Sequence, residues 1–208
     1  METSMFKRLA SEALGLSDIG IIVPPSDFNK VDADDYLFSE DGERIFFLIK
    51  SKKDEYCFTN LALIHVDGDS AVSSKRTIKR YDYATHAIHH VTLETAGTID
   101  MDIELKFQVE GASAFSIDVR KNFIEQLKDL YKALLTISRM QSHNAQARDN
   151  ALHCLAPLGQ MFKLGGDAAN PGSVTAQYQA LVAAVNQLQL QELSPRDFGA
   201  VFEKYLRN

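Results

Sequence analysis

The sequence predicts a mainly β chain completed by helices, and three observations carry that prediction. First, Ile99, Met101, Ile103, Leu105, Phe107 and Val109 alternate with Asp100, Asp102, Glu104, Lys106, Gln108 and Glu110. Successive side chains of an extended chain point to opposite faces, so this is a strand with one dry and one wet face. Second, the period changes after Val119. Phe123, Leu127, Leu130, Leu134 and Ile137 recur at steps of four and three, widened by Ile124, Tyr131 and Leu135, which is the stripe of an amphipathic helix. Third, the composition changes after Ser142 to a stretch rich in Ala and Gln, poor in charge and without alternation. The expected division is a sheet-bearing domain over residues 1–140 and a helical tail over 141–208.

In chain order, Thr3 to Leu14 predicts a short amphipathic helix stopped at Gly15. Ile19 to Val23 is a short extended piece ended by Pro24-Pro25. Arg44 to Lys50 is a nearly unbroken apolar run, suited to a strand covered on both faces. Ser51 to Asp54 turns the chain, Glu55 to Asn60 returns it, and Leu61 to Val66 runs to the turn Asp67-Gly68-Asp69. Ser73 to Tyr81 is a further strand. Ala84 to Thr95 opens a three-stranded meander with turns at Ala96-Gly97 and Glu110-Gly111. Asp118 is placed to cap the helix that follows. In the tail, Gln146 to Leu155 is a helix disturbed at Pro157 and Gly159. Asn170 to Ser173 is a turn, with Ser173 capping the next helix. There Val174, Tyr178, Leu181, Val185 and Leu188 keep the heptad-like spacing that holds one seam against another helix. Ser194-Pro195 starts a last helix whose apolar face includes Phe198, Val201, Phe202 and Tyr205.

Bulk composition excludes several classes. A net charge of -6 argues against general nucleic-acid binding. Two cysteines, Cys57 and Cys154, without CxxC spacing fit a reducing cytoplasm rather than a disulfide scaffold. The N-terminus lacks the pattern of a signal peptide, and no apolar run is long enough to cross a bilayer. No nucleophile elbow, P-loop or dinucleotide fingerprint is present. The expectation is a non-enzyme without cofactor, metal or small-molecule substrate.

The meander resembles the hallmark of bacterial pleckstrin-homology-like (PH-like) domains, Glu94-Thr95-Ala96-Gly97 followed by Asp100-x-Asp102-x-Glu104-Leu105-Lys106. Thr59-Asn60-x-x-Leu63-Ile64 resembles a strand pair common in the same family. The resemblance implies a bent antiparallel β-sandwich or barrel with the helix Phe123 to Ile137 plugging one open end. The tail is similar to oligomerisation regions appended to some members, which form closed rings. A homo-oligomeric scaffold or interaction module, probing no small molecule, is therefore the leading expectation, with Val174, Tyr178, Leu181, Val185, Leu188, Phe198 and Phe202 as its interface.

Other constellations are weighed beside it. Glu94, Asp100, Asp102 and Glu104 make a carboxylate set better suited to a solvated face or to pairing with a basic edge than to an ion. His86 and His90 are expected on one face of a strand with His89 on the other, which is a thin basis for a metal site. Lys50, Lys52, Lys53, Lys75, Arg76, Lys79 and Arg80 supply the alternative function, a module for anionic membrane lipids or phosphorylated headgroups. Eukaryotic PH domains that bind such headgroups place arginine on the second strand of the first hairpin. Here that strand is Glu55-Tyr56-Cys57-Phe58.

Overall fold

The computed structural model describes residues 18–68, 76–95, 102–164, 171–188 and 193–206, with side chains left aside at 154–164 and 171–175. The expected N-terminal helix Thr3 to Leu14 lies outside the described residues.

Two antiparallel sheets face each other. The first joins β1 (Ile21–Ile22), β2 (Ile45–Lys50), β3 (Asp54–Thr59), β4 (Ala62–Gly68) and β5 (Arg76–Asp82) in sequence order. The second joins β6 (Ile88–Glu94), β7 (Asp102–Val109) and β8 (Ala114–Arg120). They are not closed into a barrel. A parallel bridge between Gly20 and Val119 links them at one margin, where the Gly20 amide donates to the Asp118 carbonyl at 2.7 Å and the Arg120 amide to the Gly20 carbonyl at 3.0 Å. A Cβ at position 20 would stand 2.8 Å from Ile49 Cγ2 and 3.0 Å from that carbonyl, so only glycine permits the approach.

The alternation of β7 places Ile103, Leu105, Phe107 and Val109 in the core between the sheets, beside Phe58, Leu63, Ile117 and Val119. Helix α1 (Ile124–Leu164) lays the expected stripe on this core: Leu127, Leu130, Leu134 and Ile137 are fully buried. The apolar run of β2 is covered on both faces, as its composition demands. Phe47 and Ile49 face the main core. Leu48 enters a second cluster with Cys57, Ile64, Val66, Val31 and Ala33, on the sheet face covered by the 3-10 turns Pro25–Lys30 and Asp32–Tyr36.

Several local expectations are corrected. His86 lies in the turn before β6. His90 takes φ 52, and the β6–β7 register shifts between His89 and Thr92. This bulge breaks alternation, so His89 and His90 are both exposed between buried Ile88 and Val91. Asp118 sits in β8, and the 3-10 turn Lys121–Phe123 leads into α1. Pro157 and Gly159 do not interrupt α1, because a helix already propagating loses one bond there without a new nucleation cost. Helix α2 (Pro171–Gln187) begins at Pro171 rather than after Ser173, proline suiting a first turn.

The chain divides into two compact units, residues 1–138 with 196–208, and residues 139–195. The last segment, expected in the tail, is thus part of the sheet domain. Helix α3 (Gly199–Tyr205) buries Phe198 and Phe202 in the main core, where Phe202 stacks on Phe46 at 5.3 Å and Phe198 meets Tyr83 edge-on at 5.7 Å. Neither phenylalanine is available as an exposed interface. Nor does Ser194 cap this helix: its hydroxyl accepts from Arg148 Nη1 at 2.6 Å within the second unit, while the Gly199 amide donates to Asp197 Oδ1 at 2.7 Å.

Candidate functional site

The hallmark hairpin comes first. Cross-strand register sets Glu94 opposite Glu104 and Thr92 opposite Lys106. Two carboxylates opposed on one face repel. Lys106 Nζ resolves this by donating to Glu94 Oε2 at 2.9 Å and Glu104 Oε2 at 2.8 Å, and the Ser116 hydroxyl donates to Glu104 from β8. These donors hold the Glu104 carboxyl below its ordinary range and raise Lys106. Asp102 lies opposite Arg120. On the same face burial, with Glu104 and Asp102, pushes the Asp118 carboxyl up. Thr95 is exposed just beyond β6, and Gly97 and Asp100 lie outside the described residues. Among the described residues no group of three or more His, Cys, Asp or Glu side chains is placed to hold a metal ion. The described part of the hallmark is therefore a cross-strand charge clamp.

Among the described residues, four of the basic side chains pair with acids of their own chain. Lys50 is only 7% exposed and pairs with Glu55 directly opposite on β3. Glu55 also accepts the backbone amides of Ala33 at 2.9 Å and Asp32 at 3.3 Å, fastening a 3-10 turn to the sheet. Arg80 Nη1 donates to both oxygens of Glu43, at 3.1 and 2.9 Å, and its Nε to Asp82 at 2.8 Å. Its guanidinium also covers the Phe38 ring at 4.7 Å. Arg76 Nε contacts Asp32 at 3.4 Å, and Lys79 pairs with Asp67 at 2.8 Å, which lowers Asp67 and raises Lys79. Lys52 and Lys53 are exposed at the β2–β3 turn, and Lys75 lies outside the described residues.

The seam is different in kind. Within α2, Tyr178 is 65% exposed and Val182 38%, while Leu181 and Val185, with Leu188 just beyond the helix, are half-buried. The side chain of Val174 is not among those described.

One cluster escaped the sequence reading. On the inner face of the five-stranded sheet Tyr56 stacks on His65 at 4.6 Å, and His65 Nε2 lies 3.0 Å from Asp54 Oδ1. Phe115 meets Tyr56, His65 and Tyr81 edge-on. Burial, then Asp54, Asp67 and Asp118, push the Tyr56 phenol well up. The signal was the register Tyr56 opposite His65, which follows from a tight β3–β4 turn. That turn is built by Thr59 and Asn60. The Thr59 hydroxyl receives the Leu61 and Ala62 amides at 3.1 and 2.8 Å and donates to Glu43 at 2.6 Å. The Asn60 side chain accepts the Arg44 amide at 2.9 Å and donates to Asp197 at 2.7 Å.

No helix among the described residues is long and apolar enough to cross a membrane. Comparison with known proteins agrees with this frame. Residues 13–138 match the family described as Bacterial PH domain. YvbH, an uncharacterized protein of Bacillus subtilis (strain 168), is 49% identical over 208 residues, covering 98% of this chain and 100% of YvbH. YjqA, an uncharacterized protein of the same organism, is 29% identical over 97 residues, 47% of this chain and 76% of YjqA. The crystal structure of a PH domain containing bacterial protein from Exiguobacterium sibiricum superposes with a TM-score of 0.79 at 44% identity, covering 91% of this chain and 100% of that one. With two facing sheets, a helix laid on their core and the hallmark clamp on the outer face, the chain belongs to the bacterial PH domain family.

Proposed function

We propose that the chain is a non-catalytic cytoplasmic scaffold that self-associates through the α2 seam into a closed homo-oligomer. The observation that carries this reading is exposed Tyr178 and Val182 beside half-buried Leu181 and Val185 on one helix. Covering what these four side chains still expose is worth roughly 3–5 kcal/mol gross. Association itself costs about 4–15 kcal/mol. One seam contact is therefore marginal, and a closed ring adds a second, different surface on each subunit, the sheet edges.

The alternative of an anionic lipid surface has weaker support. Lys50, Arg76, Lys79 and Arg80 already face acids of their own chain. Two exposed lysines, at about 1 kcal/mol each near an anionic membrane, give weak attachment.

Light scattering on the purified chain and on Leu181→Asp tests the proposal. The expected result is a multiple of the monomer mass for the wild type and a smaller species for the variant, with an unchanged sheet signal in circular dichroism. A concentration-independent monomer removes the reading. If Leu181→Asp lowers the melting temperature and leaves the mass unchanged, the seam packs on its own unit. Sedimentation with acidic vesicles at low salt decides the alternative: retention that Lys52→Glu/Lys53→Glu abolishes would favour it.

A further inference from the structure

Among the described residues of the sheet domain, Tyr36 and Phe38 are the large apolar side chains left exposed, at 43% and 52%. They sit on one short piece of chain. Leu37 between them is extended, at φ -82 and ψ 141, and packs against the cluster under the 3-10 turns. Alternation about Leu37 thus sends both rings toward water. Phe38 is fixed where it stands. Its amide donates to Glu43 Oε2 at 2.8 Å, and its carbonyl accepts the amides of Asp41 at 3.0 Å and Glu43 at 3.2 Å. Arg80, itself held by Glu43 and Asp82, lies over the ring at 4.7 Å. The ring belongs to neither buried cluster. An aromatic side chain that is wet but already ordered needs little further ordering on contact, which is the condition of a binding anchor.

The surroundings say what such an anchor would hold. From Asp32 to Glu43 the chain carries six acids and no base. Asp32 and Glu43 meet Arg76 and Arg80. Glu40 and Asp41 are exposed, and no cation among the described residues is set against either. The molecule also uses the matching chemistry twice within itself. Arg80 lies on Phe38 and bonds Glu43, and Arg44 lies on Phe46 and bonds Glu203. A planar guanidinium can rest on a ring while its N–H fork reaches a carboxylate, and a lysine ammonium combines the two less well.

We propose that Tyr36 and Phe38, with Glu40 and Asp41 following them in the chain, form a docking surface for an arginine-bearing segment of a partner protein. The rings give apolar anchors and faces for the guanidinium groups. The acids select a cationic partner and repel anionic ones. The surface lies on the sheet domain and owes nothing to the α2 seam, so this proposal and self-association can fail separately.

Fluorescence anisotropy of a labelled Arg-Ser repeat peptide against the full chain tests it. Binding should be saturable, weaken with salt, and fall about tenfold in Phe38→Leu, which keeps an apolar side chain but no ring face. Glu40→Gln/Asp41→Asn should weaken it to a similar degree. A Lys-Ser peptide of equal charge should bind more weakly by about threefold. No saturable binding, an unchanged affinity in Phe38→Leu, or equal binding of the lysine peptide, as charge attraction alone would give, overturns the proposal. Should Phe38→Leu disturb the fold by circular dichroism, Tyr36→Leu carries the same comparison. Light scattering of the variants should match the wild type. A smaller species would place a second copy of the chain on this surface and overturn the proposal.

Discussion

Replacing Glu43 with alanine tests whether Arg80 serves the fold rather than an external anion. The Glu43 side chain is fully buried and takes three kinds of donor: Arg80 Nη1 on both oxygens, the Thr59 hydroxyl at 2.6 Å and the Phe38 amide at 2.8 Å. Its loss leaves a partly buried guanidinium with Asp82 as its remaining acid, takes the acceptor from the Phe38 amide, and leaves the Thr59 hydroxyl to the Ala62 carbonyl at 3.1 Å. Breaking a buried pair from one side costs about 3–5 kcal/mol. For a denaturant slope of about 2 kcal/mol per molar urea, that moves the midpoint down by roughly 1.5–2.5 M. Urea titration followed by circular dichroism reads this directly. Replacing both partners, Glu43→Leu with Arg80→Met, should recover much of the loss, because no charge is then left unpaired. A shift below about 0.5 M for Glu43→Ala, the scale of an exposed ion pair, would refute the argument and return Arg80 to the pool of residues able to meet an outside phosphate.

Gly20→Ala should destabilise by about 1–3 kcal/mol, an overpacking cost paid against Ile49 and the Asp118 carbonyl, and thermal melting checks it. Asp118→Asn should raise the melting temperature at neutral pH. The folded carboxyl lies above its unfolded range, so ionisation opposes folding, and the benefit should vanish below about pH 3, where both forms are neutral. Asp67 has the opposite sign. Its lowered carboxyl contributes stability above the unfolded range, lost as pH falls through the folded value, so Lys79→Met should flatten the acid limb of the stability curve. Cys57 is buried, and burial with Glu55 and Glu43 pushes its thiol up. In a Cys154→Ser background it should resist thiol reagents until the protein unfolds, and labelling faster than unfolding would contradict this.

Local periodicity made the sheet and the first half of α1 legible, because alternation and helical stripes are written in consecutive residues. Ile103, Leu105, Phe107 and Val109 lie where the alternation puts them, and Ile99 and Met101 of the same run lie outside the described residues. What the sequence could not show was pairing across distance. Phe198 and Phe202 carry a helical spacing that fits an interface as well as a core. Their partner Asn60 is separated from Asp197 by 137 positions. The arginines of β5 looked like part of a patch because Asp32 and Glu43, which meet Arg76 and Arg80, come from the irregular segment 32–43, which has no periodicity to mark its position over the sheet. The bulge at His90 depends on a positive φ at a residue type that carries no glycine signal. Of the candidate sites, the clamp was legible as residues but not as ion pairs, and the α2 stripe was legible as spacing.

That the final helix completes the first domain has a consequence for synthesis. Translation delivers the sheets and the stripe of α1 by Ser138, then spends residues 139–195 on a different unit before Phe198 appears. At roughly 5–20 residues per second this interval lasts several seconds. Throughout it Phe46 and Tyr83 belong to a nascent sheet whose last apolar cover has not been made. Completion of the domain thus waits on residues 196–206, and a product halted before them would emerge with an uncovered aromatic face for chaperones and proteases to find.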